Sequence, residues 1–386
     1  MKPVYFDYLA TTPVDPDVAQ AMAGCLTIDG AFGNAASRSH RYGWEAEQLV
    51  EEARGEVAAL IGADVREIVW TSGATEADNL ALKGAVEQAL EDGKPAHIVT
   101  SAIEHKAVLD SCKALEERGV AVTYLRPGED GLISSDAISE AVTPDTCIVS
   151  IMHANNEIGT VNDIAAISAV TRAASVPLHV DAAQSIGKIP VDVDALGIDL
   201  LSMSAHKFYG PKGMGALYHR RRPKTALYAQ MHGGGHERGM RAGTLATHQI
   251  VGMGRAAAIA AQKLSEEGAR LQTLRGRLLE LIADIDGVSL NGHATQRLPG
   301  ALNISVADVE GEALLLSLPE FAMSTGSACT SASLEPSYVL SALGLPAALA
   351  HSSLRVSLGR YTSDADIELF SDRLHEVVPR LRREAA

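Results

Sequence analysis

Several large protein classes need features that this chain has little of. Aromatic residues make up 4% of its 386 residues, so the core has to be built mainly from Ala, Gly, Leu and Val. The four cysteines, Cys25, Cys112, Cys147 and Cys329, include no CxxC pair, which leaves no basis for a thiolate zinc site or a dithiol motif. No run is long and apolar enough to span a bilayer. The opening stretch MKPVYFDYLATTP has one Lys and a short apolar patch interrupted by Asp7, unlike a signal peptide, so a cytoplasmic protein is expected. Positive charge is also short: 33 Lys and Arg stand against 48 Asp and Glu, a net −15 that repels nucleic acid. A small phosphorylated ligand is not excluded, because it answers to local backbone N–H groups. There is no internal repeat and no low-complexity segment.

What is present is length for two domains and a steady alternation of strand and helix signals. Apolar runs EIVWT, HIVTS, AVTYL, CIVSIMH, LHVDA, DLLSMSA and GALYH are separated by helical periodicity. That order predicts an α/β fold with a mostly parallel sheet covered by helices. A long helical pattern from about Gln249 to Ile285 then leads to GVSLNG, ALNISV and LRVSLG, the strands of a smaller α+β domain. The last stretch, ADIELFSDRLHEVVPRLRREAA, is amphipathic.

Lys207 is the most informative residue. It ends an apolar strand pattern and precedes a turn marked by Gly210, Pro211 and Gly213, which holds its amine at a sheet edge where α/β folds gather functional groups. An amine partly removed from water loses some preference for charge and can attack a carbonyl to form a Schiff base. Asp181 ends the strand LHVDA, one helical crossover earlier. A buried acid there needs a cation or several donors. A protonated pyridine nitrogen would serve, and so would a nearby Lys or a helix start. The strand EIVWT runs into Ser72-Gly73-Ala74-Thr75 and a helix start, which is either a simple cap or a phosphate cradle. It is not a Walker A loop, since the G-K-[ST] ending is missing.

Other polar residues fall on the same edge. His105 follows HIVTS and either stacks on a ring or caps the helix after it. Asn155, Asn156 and Glu157 follow CIVSIMH, and Gln184 and Ser204 close two further strands. The loop HGGGHERGMRAGT carries two His, but its glycines forbid the helix that an HxxxH metal site needs. A flexible loop that covers a phosphate or reaches a neighbouring subunit fits better. Arg355, within an apolar strand, suits capture of a carboxylate or is an edge-strand surface charge. Cys25, Cys112 and Cys147 lie in apolar patterns and are expected to be buried, Cys112 with Val108 and Leu115. Cys329 lies among small polar residues, STGSACTSAS, the profile of a mobile, accessible loop.

Taken together, DYLATTPVDP, FGNAASRSH, TSGATEADNLALKG, EHKAVLD, VSIMHANNEIG, HVDAAQS, SMSAHKFYGPKG, MHGGGHERGMRAGT, STGSACTSASLEPSYVL and HSSLRVSLGR cover nearly the whole chain. They resemble the cysteine desulfurases, the class V branch of the fold-type I pyridoxal phosphate enzymes. The resemblance implies a large cofactor-binding domain over residues 15–260 and a small domain made of 1–14 and 261–386. It implies that Lys207 carries pyridoxal 5'-phosphate and that Asp181 keeps the pyridine nitrogen protonated. Gln184 would contact the ring hydroxyl, His105 would stack on the ring, and Asn156 would support it. Ala74, Thr75, Ser204, Ala205 and His206 would bind the phosphate, with Thr244 arriving from the second subunit of a homodimer. Asn34 and Arg355 would hold the carboxylate of L-cysteine, and Cys329 would accept its sulfur as a persulfide. No metal is implied. The acceptors would be an IscU-type iron–sulfur scaffold and other proteins, including those of tRNA thiolation. Two departures are noted. Ala183 stands where many relatives have Thr, with little effect expected. The chain stops at Ala386, where relatives carry a further tail that helps dock the scaffold, so docking is expected to be weaker than catalysis is sound. The rival readings are another reaction on the same cofactor, such as aminotransfer or selenocysteine lysis, and a non-catalytic sulfur carrier.

Overall fold

The seven apolar runs between Ile68 and His219 form one sheet in the computed structural model, which describes residues 2–325 and 336–385. In chain order its described strands are β1 Val4–Tyr5, β2 Ile68–Thr71, β3 His97–Ser101, β4 Ala121–Leu125, β5 Thr146–Ser150, β6 Leu178–Asp181, β7 Leu200–Ser204, β8 Gly215–His219, β9 Val288–Leu290, β10 Ala301–Val306, β11 Phe321–Ala322 and β12 Ser353–Ser357. The large sheet has the order β2-β8-β7-β6-β5-β3-β4. Only β8 runs against its neighbours, so the carboxyl ends of the other six strands share one edge. Strands β2, β3, β6, β7 and β8 are buried at every residue, which is why they appear as continuous apolar runs.

Helices cover both faces. On one side, Ala74–Glu91 and Lys106–Glu116 pack Ala77, Leu80, Ala81, Val108, Cys112 and Leu115 against the sheet. On the other, Arg41–Leu60 and the first half of Thr247–Leu281 close a second core with Val50, Val57, Met253 and Ala257. These two helices touch at Gly254, where a Cβ would lie 2.5 Å from the Cα of Ala53. The 35-residue helix Thr247–Leu281 spans about 50 Å, starting and ending slightly earlier than its sequence pattern. Its second half, with Leu274 and Leu278, joins a separate core around Ile304, Val356, Phe370 and Leu374.

That core belongs to the antiparallel sheet β12-β10-β9 and the amphipathic helix Asp364–Ala385. The N-terminal strand β1 pairs in parallel with β11, and Asp7 bridges to Ser357 at the end of β12. The first residues of the chain are thereby held beside its last third.

The loop 232–244 departs from expectation. It is pinned rather than flexible: Glu237 is buried and takes Nη1 and Nη2 of the buried Arg54 at 2.7 and 2.9 Å. It also accepts the Trp70 N–H at 2.9 Å, while Arg241 reaches Glu76 at 2.7 Å. A buried carboxylate with three donors cannot leave without stranding a guanidinium in the core.

Candidate active site

The carboxyl edge of the large sheet opens into a cavity of about 420 Å³. Strand ends and turns supply its walls: Ser72 to Glu76 after β2, His105 after β3, Met152, Ala154 and Asn156 after β5, Asp181, Ala183 and Gln184 at β6, and Ser204, His206 and Lys207 at β7.

The turn after β2 is a bare helix start. Gly73 has φ +154° and ψ 177°, a region open to glycine and closed to other residues. Gly215 on β8 has to lack a side chain here as well, because a Cβ on it would lie 2.5 Å from the Gly73 Cα. No side chain caps the helix Ala74–Glu91, so its first N–H groups and the positive end of its dipole face the cavity. The simple cap is therefore not what this turn provides.

Asp181 lies at the closed end, 5% exposed, with Oδ1 accepting the Ala183 N–H at 2.9 Å. Burial pushes its pKa up, while the charges of His105 and Lys207 and the Ala183 N–H pull it down. Two more acids lie buried nearby. The pKa of Asp78 is raised well above the usual range, by burial first and then by Asp181. Glu104 is pushed up to about 8 by burial, although it accepts from Ser101 Oγ at 2.6 Å and the Met152 N–H at 3.0 Å. Positive charge pulls down only on Asp181, so of the three it is the acid whose charge its surroundings oppose least. Asp78 lies 3.5 Å from His179, but burial takes that imidazole's pKa down to about 3, so the pair is not ionic. The His179 ring is held instead between Ser150 Oγ at 2.8 Å and Ser202 Oγ at 2.9 Å.

Lys207 sits in the turn Ala205–Lys207 directly after β7. Its Nζ donates to the carbonyls of Leu9 and Ala10 at 2.7 and 2.8 Å, which places the amine at the cavity wall. Gln184 Nε2 donates to the same Leu9 carbonyl at 2.9 Å, and Gln184 Oε1 accepts from Lys188 at 2.9 Å. Lys188 has its pKa lowered well below the usual value by burial, then by Lys207 and Arg355. His206 Nδ1 meets Thr11 Oγ1 at 3.0 Å, and burial takes its pKa down to about 4.

His105 is the helix cap that the sequence allowed, and it also faces the cavity. Its Nδ1 caps the helix Lys106–Glu116 by accepting the Ala107 N–H at 3.1 Å, and the ring also lines the cavity. Because Nδ1 accepts, Nε2 is the ring nitrogen that carries a hydrogen. Asn156 lines the cavity as well, and its buried Oδ1 has no hydrogen-bond partner among the described residues.

Not every expected residue is gathered here. Ala205 packs fully into the core and spends its N–H on the Met214 carbonyl at 3.0 Å. Thr244 is exposed outside the cavity. So is Asn34, whose Oδ1 accepts the Ala36 N–H at 2.9 Å. Arg355 lies on β12, an edge strand, yet it is 2% exposed and therefore not a surface charge. It reaches the site through its Nη1, which donates to the Asn156 carbonyl at 3.1 Å. Cys329 lies outside the described residues. Burial raises the thiol pKa of the other three cysteines, to about 12 at Cys112 and about 11 at Cys147, so none is poised as a thiolate. Cys147 is only partly buried, since β5 lets its thiol reach the His97 carbonyl at 3.4 Å.

The sequence reading missed Asp7, Asp78, Glu104, His179 and Lys188. Asp78 had a signal: it falls on the inward face of its helix with Ala81, Leu82 and Ala85. The others carried none strong enough to separate them from ordinary polar residues.

Pyridoxal phosphate fits these residues. The uncapped helix start suits a phosphate, the closed end offers one ionisable buried carboxylate for a pyridinium, an amine stands at the wall, and the Asn156 oxygen awaits a partner.

Comparison with known proteins points the same way. The family model described as aminotransferase class-V matches residues 4–370. The chain is similar to the cysteine desulfurase IscS of Aeromonas hydrophila, 60% identical over 380 residues, 98% of this chain and 94% of that protein. Among solved structures it is similar to a NifS-like protein, with a TM-score of 0.90 and 36% identity over 98% of this chain and 100% of that one. It is also similar to SspA in complex with cysteine, with a TM-score of 0.83 and 39% identity over 93% of this chain and 100% of that one.

Proposed function

The chain belongs to the class-V aminotransferase family and is a cysteine desulfurase, and from that premise we propose how its residues do the work. Pyridoxal 5'-phosphate is the proposed cofactor, held covalently by Lys207. Asp181 would pair with the pyridine nitrogen, Gln184 would contact the ring hydroxyl, and His105 and Asn156 would support the ring. Ala74, Thr75, Ser204 and His206 take the phosphate, with Thr244 supplied by the second subunit of a homodimer. Exposed Leu26, Ile28, Phe32, Tyr42 and Trp44 support a surface that a second copy covers. The observation that carries this reading is the meeting of an amine, a buried carboxyl group and an uncapped helix start around one cavity.

When bound, the cofactor supplies a sink for the electrons left at Cα of an amino acid. The rest falls to the chain. Arg355 and Asn34 hold the carboxylate of L-cysteine, which fixes the direction of the Cα–H bond. The Lys207 amine takes the Cα proton. His105, whose Nδ1 is tied to Ala107, gives and recovers a proton at Nε2. The Cys329 thiolate attacks the substrate sulfur: an S–S bond forms and the C–S bond breaks. The hydrogen lost by the Cys329 thiol ends on the methyl group of alanine, and the persulfide stays on the protein. Cys329 is five residues from Ser324, a reach of at most about 18 Å, and Ser324 hydrogen-bonds Asp7 and Arg355 at the substrate end.

The proposed recipients of the sulfur are an IscU-type iron–sulfur scaffold and other acceptor proteins in the cytoplasm. No described helix is long and apolar enough to cross a membrane. The test is borohydride reduction of the loaded protein followed by peptide mapping. The cofactor is expected on the peptide carrying Lys207; a cofactor recovered on any other lysine, or on none, overturns the assignment.

A further inference from the structure

Arg355 already has an anionic partner. Its Nη2 lies 2.7 Å from Asp7 Oδ1, across 348 residues of sequence. The pair is withdrawn from water, with side chains 3% and 18% exposed. The other oxygen of Asp7 accepts the Ser324 hydroxyl at 2.9 Å, and Ser324 Oγ is 3.3 Å from the same Nη2. Backbone pairing fixes all three: the Arg355 N–H donates to the Ser324 carbonyl at 2.8 Å, and Asp7 bridges to Ser357 on the strand of Arg355. What remains of the guanidinium is Nε, buried and without a hydrogen-bond partner among the described residues. Nη1 is spent on the Asn156 carbonyl.

A buried guanidinium with no counter-ion would bind any carboxylate tightly and release it slowly. With Asp7 in place, an incoming carboxylate must share the arginine with a charge of its own sign, and like charges at this depth repel strongly. A ligand with a second carboxylate meets that repulsion twice. Rejection of a close competitor by a resident like charge is a general route to specificity.

We propose that Asp7 is a positioning and specificity-determining residue for the substrate carboxylate: it orients Arg355 through Nη2, holds carboxylate affinity down, and turns away amino acids with a second acidic group. The proposal rests on the reading of Arg355 as the carboxylate holder.

The experiment titrates the holoenzyme with L-alanine and with L-aspartate and follows the cofactor's visible absorption to obtain Kd. Asp7→Asn keeps the size of the side chain and an oxygen for Arg355 while removing the charge. It is expected to tighten L-alanine about fivefold and L-aspartate by at least about tenfold. Arg355→Gln is expected to weaken L-alanine at least about tenfold. In the double variant the tightening due to Asp7→Asn is expected to vanish, since Asp7 acts through Arg355. A merely structural Asp7 would give weaker binding on removal, so unchanged or weaker L-alanine binding in Asp7→Asn overturns the proposal. Tightening that persists without Arg355 overturns it as well. If Arg355→Gln leaves L-alanine binding unchanged, the carboxylate reading itself fails, and the proposal with it. Should Asp7→Asn fold poorly, Asp7→Gln, which also removes the charge and keeps an amide oxygen for Arg355, carries the same expectations.

Discussion

The two ends of this site are built in different ways. At the proposed cofactor end, Lys207, Asp181, His105 and the Gly73 turn each stand at or just after the carboxyl end of a strand of one mostly parallel sheet, and strand order alone brings their backbones to one edge. At the carboxylate end, Arg355, Asp7 and Ser324 come from three short strands or bridges, joined by ion pairing across most of the chain. The first end is a consequence of topology. The second is a negotiated balance of charge, in which each group depends on the other two. Removing a cofactor-end residue should therefore abolish a capacity, whereas changing a carboxylate-end residue should tune one.

The sharpest way to break that contrast is to exchange the kinds of outcome. Lys207→Ala is expected to lose the visible absorption band and all alanine formation from L-cysteine, while Arg355→Gln keeps the band and raises KM at least about tenfold. Absorption spectra and steady-state rates decide; a Lys207→Ala protein that still converts cysteine ends the distinction. Next in size, Asp181→Asn should weaken cofactor retention roughly a hundredfold, because the pyridinium would lose its buried counter-charge. Equilibrium dialysis measures this, and an unchanged Kd would make Asp181 a bystander.

A control away from both ends is Glu237→Ala, which removes both of its contacts to Arg54 and leaves the buried guanidinium with Glu51 and the Ile68 carbonyl. It should lower stability by about 3 kcal/mol in denaturant titration. The smallest effect concerns pH. Burial raises Glu157 to about 7, and its Oε2 accepts the Ser337 hydroxyl at 2.5 Å. An acid whose folded pKa lies above its unfolded value binds extra protons when folded. Its contribution is full below pH 4.5 and is lost as pH rises through about 7. Glu157→Gln should therefore flatten the fall in Tm between pH 5 and 7 that is expected in melts of the parent protein; an equal slope in both would contradict the assignment.

The same contrast explains what could be read in advance. The cofactor-end residues follow apolar runs directly, so their shared edge is implied by strand order, and the runs from Ile68 to His219 all became strands of one sheet. The long helix and the amphipathic C-terminal helix were equally plain, since periodicity marks both. Asp7 was visible only as an interruption in an apolar patch, because nothing local announces a partner 348 residues away. The loop 232–244 was misjudged as flexible for the same reason: its rigidity comes from Arg54, a distant residue on another helix. His179 and Glu104 gave no warning, since a polar residue in a buried strand or turn acquires its meaning from neighbouring strands.

The central claim is that the amine at 207 and the thiol at 329 act on one molecule of L-cysteine. Peptide mass spectrometry after brief exposure of the loaded protein to L-cysteine tests it most directly. One added sulfur atom is expected on the Cys329 peptide, absent in Lys207→Ala, with no addition on the peptides of Cys25, Cys112 or Cys147. Added sulfur on any of those three, or alanine formed at an unchanged rate by Cys329→Ala, would contradict it.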